Sequence, residues 1–377
     1  MFKRIAIFIA LIIFLYIIPP GGFSAWSFES GLRWFYLFIV SFLIFNFLYP
    51  LIIKLAYKIN AFDIPNQRKM HTKPIPRIGG LAIYLSFFFT VIRNFQFPKE
   101  IIGILISSTL IFMSGFIDDI KTISASKRLL FQILAALICI VFGVKVTLPI
   151  ENVFLKEILS SIVTIFWIVG ITNAFNFLDG IDGLAASISL IISLIYLFIV
   201  VNTSQYYVMF ITSAVCGSVF GFLIYNFHPA KIFMGDGGSN FLGFIIAVVG
   251  IYVSWAYNNP FVSFFAPVII CGILIFDMIY ITVSRIKNGR VKNLKEWVEY
   301  TGKDHLHHRL IDIGFSVRTA VFFVVILNTI LGIIAIRIVI KDFLVDSFFS
   351  FFEAILIFVM LVLIMLSARK KIEDKSI

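Results

Sequence analysis

The stretch Tyr207-Val208-Met209-Phe210-Ile211-Thr212-Ser213-Ala214-Val215-Cys216-Gly217-Ser218-Val219-Phe220-Gly221-Phe222-Leu223-Ile224-Tyr225 contains no charged residue. An α-helix rises about 1.5 Å per residue, so roughly twenty such residues cross a hydrocarbon core of about 30 Å. Backbone amides in lipid must be satisfied within the segment, which makes a block this long and apolar a helix. Directly after it comes the polar run Asn226-Phe227-His228-Pro229-Ala230-Lys231-Ile232-Phe233-Met234-Gly235-Asp236-Gly237-Gly238-Ser239-Asn240, and then a second apolar block, Phe241–Tyr257. Span, polar turn, span is the signature of a polytopic membrane protein.

The same alternation extends outward in both directions. Apolar blocks run Ile5–Pro19, Trp34–Tyr57, Ile78–Ile92, Ile101–Ile117, Leu129–Leu148, Ile158–Phe175 and Leu184–Val201 before it, and Phe261–Val283, Ala320–Ile340 and Phe348–Leu366 after it. The expected fold is an all-α integral membrane protein with about 11–12 transmembrane helices. It forms one polytopic domain over residues 1–377, within which residues 1–32 add an extra N-terminal span. That first block is short and follows Lys3 and Arg4, like a signal-peptide core, but Pro19, Pro20, Gly21 and Gly22 offer no cleavage site, so it is kept as an uncleaved span.

Composition agrees. The chain of 377 residues is 60% hydrophobic and only 14% charged, against about half and a quarter for soluble domains. No alternating β-barrel pattern is present. Cys139, Cys216 and Cys271 all lie inside apolar blocks with no CxxC pair, which excludes a disulfide framework or a cysteine zinc site. The net charge of +11 reports orientation and contact with anionic lipid, not nucleic acid. With the N-terminus in the cytoplasm, only Arg33, Arg93, Lys99, Lys145, Lys156, Arg337 and Lys341 of the 31 Lys and Arg residues fall outside. The positive-inside rule therefore puts both termini on the cytoplasmic side of the membrane.

Five polar segments, at 58–77, 118–128, 172–183, 226–240 and 284–318, are separated by two spans each. An even number of crossings puts them all on the cytoplasmic face, where they can build one site. The first, which includes Lys73-Pro74-Ile75-Pro76-Arg77, is a rigid basic loop suited to phosphate, or simply a positive-inside loop. Asp118 and Asp119 directly follow a span. Adjacent carboxylates so close to lipid suit a cation site or a base tuned by its like-charged neighbour; a solvated helix-end pair is the alternative. Asn173, Asn176, Asp179 and Asp182 recur at three-residue intervals and share a helix face as far as Gly180. Such hard oxygen donors suit Mg²⁺, which takes one or two protein ligands beside substrate phosphates. Asp236 sits between glycines at the mouth of a span, a candidate metal ligand, with Gly237 and Gly238 able to turn backbone N–H groups toward a phosphate.

The fifth segment carries His305, His307, His308 and Arg309, three of the five histidines of the chain. No closed zinc spacing exists, so a cationic or hydrogen-bonding cluster for a diphosphate is expected. Upstream, Val291, Leu294, Trp297 and Val298 oppose Lys292, Lys295 and Glu299, the pattern of an interfacial helix within a cytoplasmic loop over 284–318. Asp277 lies within a span; it is either functional or paired with Lys54 or Arg285. Carboxylates and cations at span ends suit phosphoryl transfer between anions, a matter of positioning and charge neutralisation. A transporter concentrates its polar groups at midplane and in repeated halves, and a scaffold gives no reason for five costly polar segments to converge.

Taken in order, Asp118-Asp119, Asn173 to Gly183, Phe227-His228-Pro229 to Gly235-Asp236, and His305-Leu306-His307-His308 resemble the polyprenyl-phosphate N-acetylhexosamine-1-phosphate transferases. The resemblance covers residues 54–318. It implies attack by undecaprenyl phosphate on the β-phosphate of a UDP-N-acetylhexosamine, with release of UMP. Carried over, it makes Asp236 the principal Mg²⁺ ligand and Asn176 a second, with Mn²⁺ as a substitute metal. Asp118, Asp119, Asp179 and Asp236 are the expected catalytic carboxylates, one of the first pair accepting a proton. Lys73, Asn173, Asp182, Asn226, His305, His307, His308 and Arg309 are expected to bind substrate, Asp182 by the nucleotide.

The pentapeptide branch of that family carries three consecutive histidines and a Thr-Pro-Thr-Met-Gly-Gly loop. Here Leu306 interrupts the histidines and the loop reads Pro74-Ile75-Pro76-Arg77-Ile78-Gly79-Gly80. Both departures favour the branch that starts surface polysaccharides from UDP-GlcNAc or a related UDP-HexNAc over the UDP-MurNAc-pentapeptide transferase. Expected partners are the UDP-sugar, undecaprenyl phosphate, membrane lipid and a second copy of the chain.

Overall fold

The computed structural model describes residues 30–65, 73–92, 97–255, 259–293, 304–341 and 344–375, with a few isolated positions elsewhere. The extra N-terminal span and most of the interfacial helix lie outside the described residues. Among the described residues are thirteen helices: α1 Arg33–Lys58, α2 Gly79–Ile92, α3 Lys99–Ile120, α4 Ala125–Val141, α5 Val153–Leu178, α6 Leu184–Val200, α7 Tyr206–Asn226, α8 Gly235–Tyr252, α9 Pro260–Ile270, α10 Gly272–Lys287, α11 Leu306–Asp312, α12 Val317–Lys341 and α13 Leu344–Lys375. Seven are long and apolar enough to cross a membrane, and α9 and α10 pass the same test only as a bent pair, the form of a broken span or a re-entrant loop. The fold is that of an all-α integral membrane protein.

The span expected over Phe261–Val283 is not straight. It breaks between Cys271 and Gly272 into α9 and α10, which meet at 75°. Pro267, one turn earlier, lacks a helical donor, and the Cys271 N–H bonds back to the Pro267 and Ile269 carbonyls, closing the helix. The block at Phe241–Tyr257 begins earlier than its apolar residues do, because α8 starts at Gly235. Its polar first turns face protein instead of lipid.

Helix α8 is the axis of the molecule, with 78% of its best 18-residue window buried, whereas the corresponding window in α13 is only 22% buried and faces outward. Around α8 pack α3, α5, α2 and α6. Lipid tails are as apolar as Leu, so helices associate in a membrane through close packing at small residues. A Cβ on Gly115 would lie 2.4 Å from the Asp236 carbonyl oxygen, and one on Gly80 2.4 Å from Gly238. These contacts let α2 and α3 press directly on the backbone at the start of α8.

Between α1 and α2 a two-residue ribbon pairs β1 Phe62–Asp63 with β2 Ile75–Pro76, antiparallel. It is stitched to the chain before α8: Phe233 N–H donates to Pro76 O at 2.8 Å, and Gly79 and Gly80 N–H donate to Phe233 and Met234 carbonyls at 2.9 and 2.8 Å. The basic loop is thereby fixed beside the N-terminus of α8.

Candidate active site

The site is built on the first turn of α8, whose N–H groups have no helical partners. Asp119, from the end of α3, supplies them: Oδ1 accepts from Asp236 N–H at 2.9 Å and Oδ2 from Gly237 N–H at 3.0 Å. A carboxylate at a helix N-terminus also meets the positive end of the helix dipole. Arg77 Nη2 stands 3.5 Å from Asp119 Oδ1 and donates to the Asp118 carbonyl at 3.2 Å. Asp118 is turned away; its Oδ1 accepts from Ile123 N–H at 2.7 Å and its Oδ2 from Arg128 Nη1 at 3.0 Å. Arg128 reaches on to within 3.7 Å of Asp236 Oδ1. The Asp119 side chain is 2% exposed and that of Asp236 is 31% exposed, so Asp236 is the accessible member of the cluster.

Helix α5 brings Asn176 against it. Asn176 Nδ2 donates to Asp236 Oδ1 at 2.9 Å and to Ser239 Oγ at 2.7 Å. Asp179 follows the last residue of α5. Burial, then the charges of Asp236 and Asp182, push its carboxyl up to about 7. Asp182 anchors the next loop: its Oδ2 accepts from Ala230 N–H at 3.0 Å and lies 2.8 Å from His228 Nδ1. Asn226 ties the same loops together, accepting from Gly183 N–H at 3.0 Å and donating to Ile232 O at 2.9 Å. Asn173 points elsewhere, to Gln132 of α4.

Two clasps hold the histidine segment on α10. Arg285 grips Asp304 as a fork, Nε to Oδ2 at 2.9 Å and Nη2 to Oδ1 at 2.6 Å. Burial pushes the Asp304 carboxyl up, but the Arg285 guanidinium outweighs it and holds it below the usual carboxylate value. Asp277 pairs with neither Lys54 nor Arg285. Its Oδ2 meets His305 Nδ1 at 2.8 Å and its Oδ1 accepts from Leu306 N–H at 2.8 Å. His307 is fully buried, and neither ring nitrogen has a partner. Burial, then His308 and His305, hold it well below the ordinary imidazole value, so it is neutral. It cannot be part of a cationic clamp. A Cβ on Gly180 would sit 2.2 Å from His307 Nε2, so that glycine permits the close approach of the α5–α6 loop.

All five polar segments meet in one cleft of about 840 Å³. Of the expected site residues, Lys73, Asp119, Asn176, Asp179, Asp182, Asn226, Asp236 and His308 line it. Asp118, Asn173, His305, His307 and Arg309 do not; all but Arg309 are seen bracing its walls. Sequence reasoning missed Arg128, Ser239, His228 and Asp312. Arg128 stood beside Lys121 and Lys127 in a short segment read for its two carboxylates, and Ser239 and His228 gave no signal apart from their neighbours. Among the described residues no group of three or more His, Cys, Asp or Glu is placed to hold a metal by itself. Asp236 and Asp179, which line the cleft beside the Asn176 amide, form a hard oxygen donor set suited to a cation that shares its coordination with water and phosphate.

Residues 101–254 match the family model described as glycosyl transferase family 4. A probable undecaprenyl-phosphate N-acetylglucosaminyl 1-phosphate transferase of Bacillus subtilis is 35% identical over 313 residues, 82% of this chain and 86% of that protein. The decaprenyl-phosphate N-acetylglucosaminephosphotransferase of Mycolicibacterium smegmatis is 31% identical over 72% of this chain and 73% of its own length. The undecaprenyl-phosphate alpha-N-acetylglucosaminyl 1-phosphate transferase of Escherichia coli K12 is 26% identical over 75% and 78%. With motifs, fold and relatives in agreement, the chain belongs to the polyprenyl-phosphate N-acetylhexosamine-1-phosphate transferase family.

Proposed function

We propose that this protein transfers GlcNAc 1-phosphate from UDP-GlcNAc to undecaprenyl phosphate at the cytoplasmic face of the bacterial inner membrane, releasing UMP and starting a lipid-linked surface polysaccharide. The observation that carries this is the meeting of all five polar segments in one cleft, with the half-buried Asp236 in its lining. The relatives' names supply undecaprenyl phosphate and the N-acetylglucosaminyl 1-phosphate group; the family resemblance implies UDP as its carrier, and the interrupted histidine run supports the GlcNAc branch.

A lipid phosphate oxygen forms a bond to the β-phosphorus, and the bridging bond to the α-phosphate breaks, its electron pair leaving with UMP. One displacement inverts phosphorus. Mg²⁺, or Mn²⁺ in its place, held by Asp236 and Asn176 would neutralise charge on the diphosphate. Arg77 and Lys73 add cations on the same side. Both carboxylates of the Asp118–Asp119 pair are occupied, Asp119 by the N-terminus of α8 and Asp118 by Arg128 and Ile123. Their work is to hold Asp236 and Arg128 in place. Asp179, which lines the cleft and is pushed up to about 7, is suited to accept a proton. A phosphate monoester with a second pKa of about 6 is largely dianionic at neutral pH, so little proton removal is needed.

The test is UMP release by the purified protein with undecaprenyl phosphate, with and without Mg²⁺, comparing UDP-GlcNAc with UDP-MurNAc-pentapeptide. Mg²⁺-dependent release from UDP-GlcNAc is expected. Release from the pentapeptide substrate alone would move the protein to peptidoglycan synthesis, and release from neither would remove the transferase activity.

A further inference from the structure

Behind the cleft, three amide side chains from three helices form a closed set. Gln132 of α4 is buried, 3% exposed. Its Nε2 donates to Asn240 Oδ1 of α8 at 3.1 Å and to Asn173 Oδ1 of α5 at 3.3 Å. Asn173 Nδ2 returns a bond to Gln132 Oε1 at 2.7 Å and donates to Val169 O at 2.8 Å. Asn240 Nδ2 donates to the Asp236 carbonyl at 2.8 Å. Every amide hydrogen and the carbonyl oxygen of Gln132 are therefore used.

The register is what gives this set a function. Arg128 and Gln132 lie four residues apart on α4, and Asp236 and Asn240 four apart on α8, so the long side chains of α4 reach α8 at two positions one turn apart. Arg128 Nη1 lies 3.7 Å from Asp236 Oδ1 at the cleft, and Gln132 meets Asn240 one turn behind. On α5, Asn173 precedes Asn176 by three residues, and Asn176 Nδ2 reaches Asp236 Oδ1 at 2.9 Å. Gln132 thus bonds both helices that carry the accessible oxygen donors, one turn behind those donors. A buried amide costs desolvation that a well-packed apolar residue avoids. A fully satisfied network, by contrast, rigidifies its surroundings.

We propose that Gln132 is a positioning residue for divalent-cation binding: it locks α5 to α8 one turn behind Asn176 and Asp236 and so sets the spacing of those two donors. This rests on the cation role proposed above for Asp236 and Asn176. Gln132 touches neither substrate nor cation. Mg²⁺ demands near-ideal geometry at about 2.0–2.1 Å, so a small drift of α5 against α8 weakens its binding.

The test uses the full chain in detergent with Gln132→Met, close in length and without an amide, and Gln132→Glu, which keeps the acceptor for Asn173 and loses the donor to Asn240. Ser107→Ala is the control for an ordinary buried bond, since Ser107 Oγ donates to Ala135 O at 3.0 Å between α3 and α4. The readouts are the Mg²⁺-induced rise in Tm without substrate, the Mg²⁺ concentration for half-maximal UMP release, and KM for UDP-GlcNAc at saturating Mg²⁺. Loss of such a supporting residue weakens metal binding about 10–100-fold, so Gln132→Met raises the Mg²⁺ requirement about tenfold in both Mg²⁺ readouts and leaves KM unchanged. Gln132→Glu falls between it and the parent, and decides the matter if the Met variant does not fold. Ser107→Ala lowers Tm without moving the Mg²⁺ response. Gln132 variants with the parent Mg²⁺ response, whatever their Tm, overturn the inference alone. A parent protein that shows no Mg²⁺ response in Tm or in UMP release removes the cation role and the inference together.

Discussion

The cleft has two walls that use the same residue types in opposite ways. On the α3–α5–α8 side, Asp119 meets backbone N–H groups of a helix N-terminus and leaves Asp236 open to the cleft. On the α10–α11 side, Asp277 and Asp304 are buried and closed off by His305, Leu306 and Arg285. The first arrangement leaves an anion available for ligands; the second consumes its anions to hold a helix. Acidic residues near a membrane surface are therefore divided by what their oxygens bond, not by their number. The histidine wall is a support that presents His308 and Asp312 to the cleft.

The largest effect that sharpens this contrast is expected on the support side. Asp304→Ala leaves Arg285 buried without its carboxylate, and breaking a buried pair costs about 3–5 kcal/mol. Thermal unfolding should show a large fall in Tm, while the molecules that remain folded keep much of their UMP release. The pair also gives an acid limit. Asp304 titrates below its unfolded value, so its stabilisation is complete above that value and is lost as pH falls through the lower folded one.

On the open side the balance reverses. Asp236→Ala should lower UMP release about 10²–10³-fold, the scale for losing one preorganised electrostatic group, with Tm little changed. Asp119→Ala should do both moderately, since loss of a helix N-terminal cap costs about 1–2 kcal/mol and also frees the turn that carries Asp236. Equal losses of activity and Tm in the Asp236 and Asp304 variants would erase the distinction between the walls.

How much of this was visible in the sequence differs between fold and site. The helices were legible because each apolar block carries at most one charged residue, and the common face of the five segments followed from an even number of crossings. The break at Cys271 was not: Pro267 stands one turn before it, but Pro50 sits inside α1 without breaking that helix, so a proline in an apolar block did not decide between a span and a bend. Within the site, residue types were readable and partners were not. Asp119 bonds Asp236 and Gly237 across 117 and 118 positions, and Gln132 bonds Asn240 across 108. No local spacing encodes such pairs. Sequence therefore suggested one of Asp118 and Asp119 as a base and the histidines as a cationic or hydrogen-bonding cluster, but not that Asp119 accepts from the first N–H groups of α8 or that burial keeps His307 neutral.

The smallest expected effect is a pH slope. Asp179, raised to about 7, binds a proton in the folded protein over a range in which the unfolded chain has released it. Stability should fall as pH rises from about 4 through 7. Asp179→Asn should raise Tm more at pH 8 than at pH 5, and Mg²⁺ should flatten the slope of the parent protein. A parent Tm that rises across the same range would show that Asp179 is ionised throughout.

The most direct measurement is UMP release per folded molecule for the parent, Asp236→Ala and Asp304→Ala, with undecaprenyl phosphate, UDP-GlcNAc and Mg²⁺. Release that collapses for Asp236→Ala and largely survives for Asp304→Ala places the reaction at the N-terminus of α8. Release that survives for Asp236→Ala would put the chemistry elsewhere in the cleft and contradict the account.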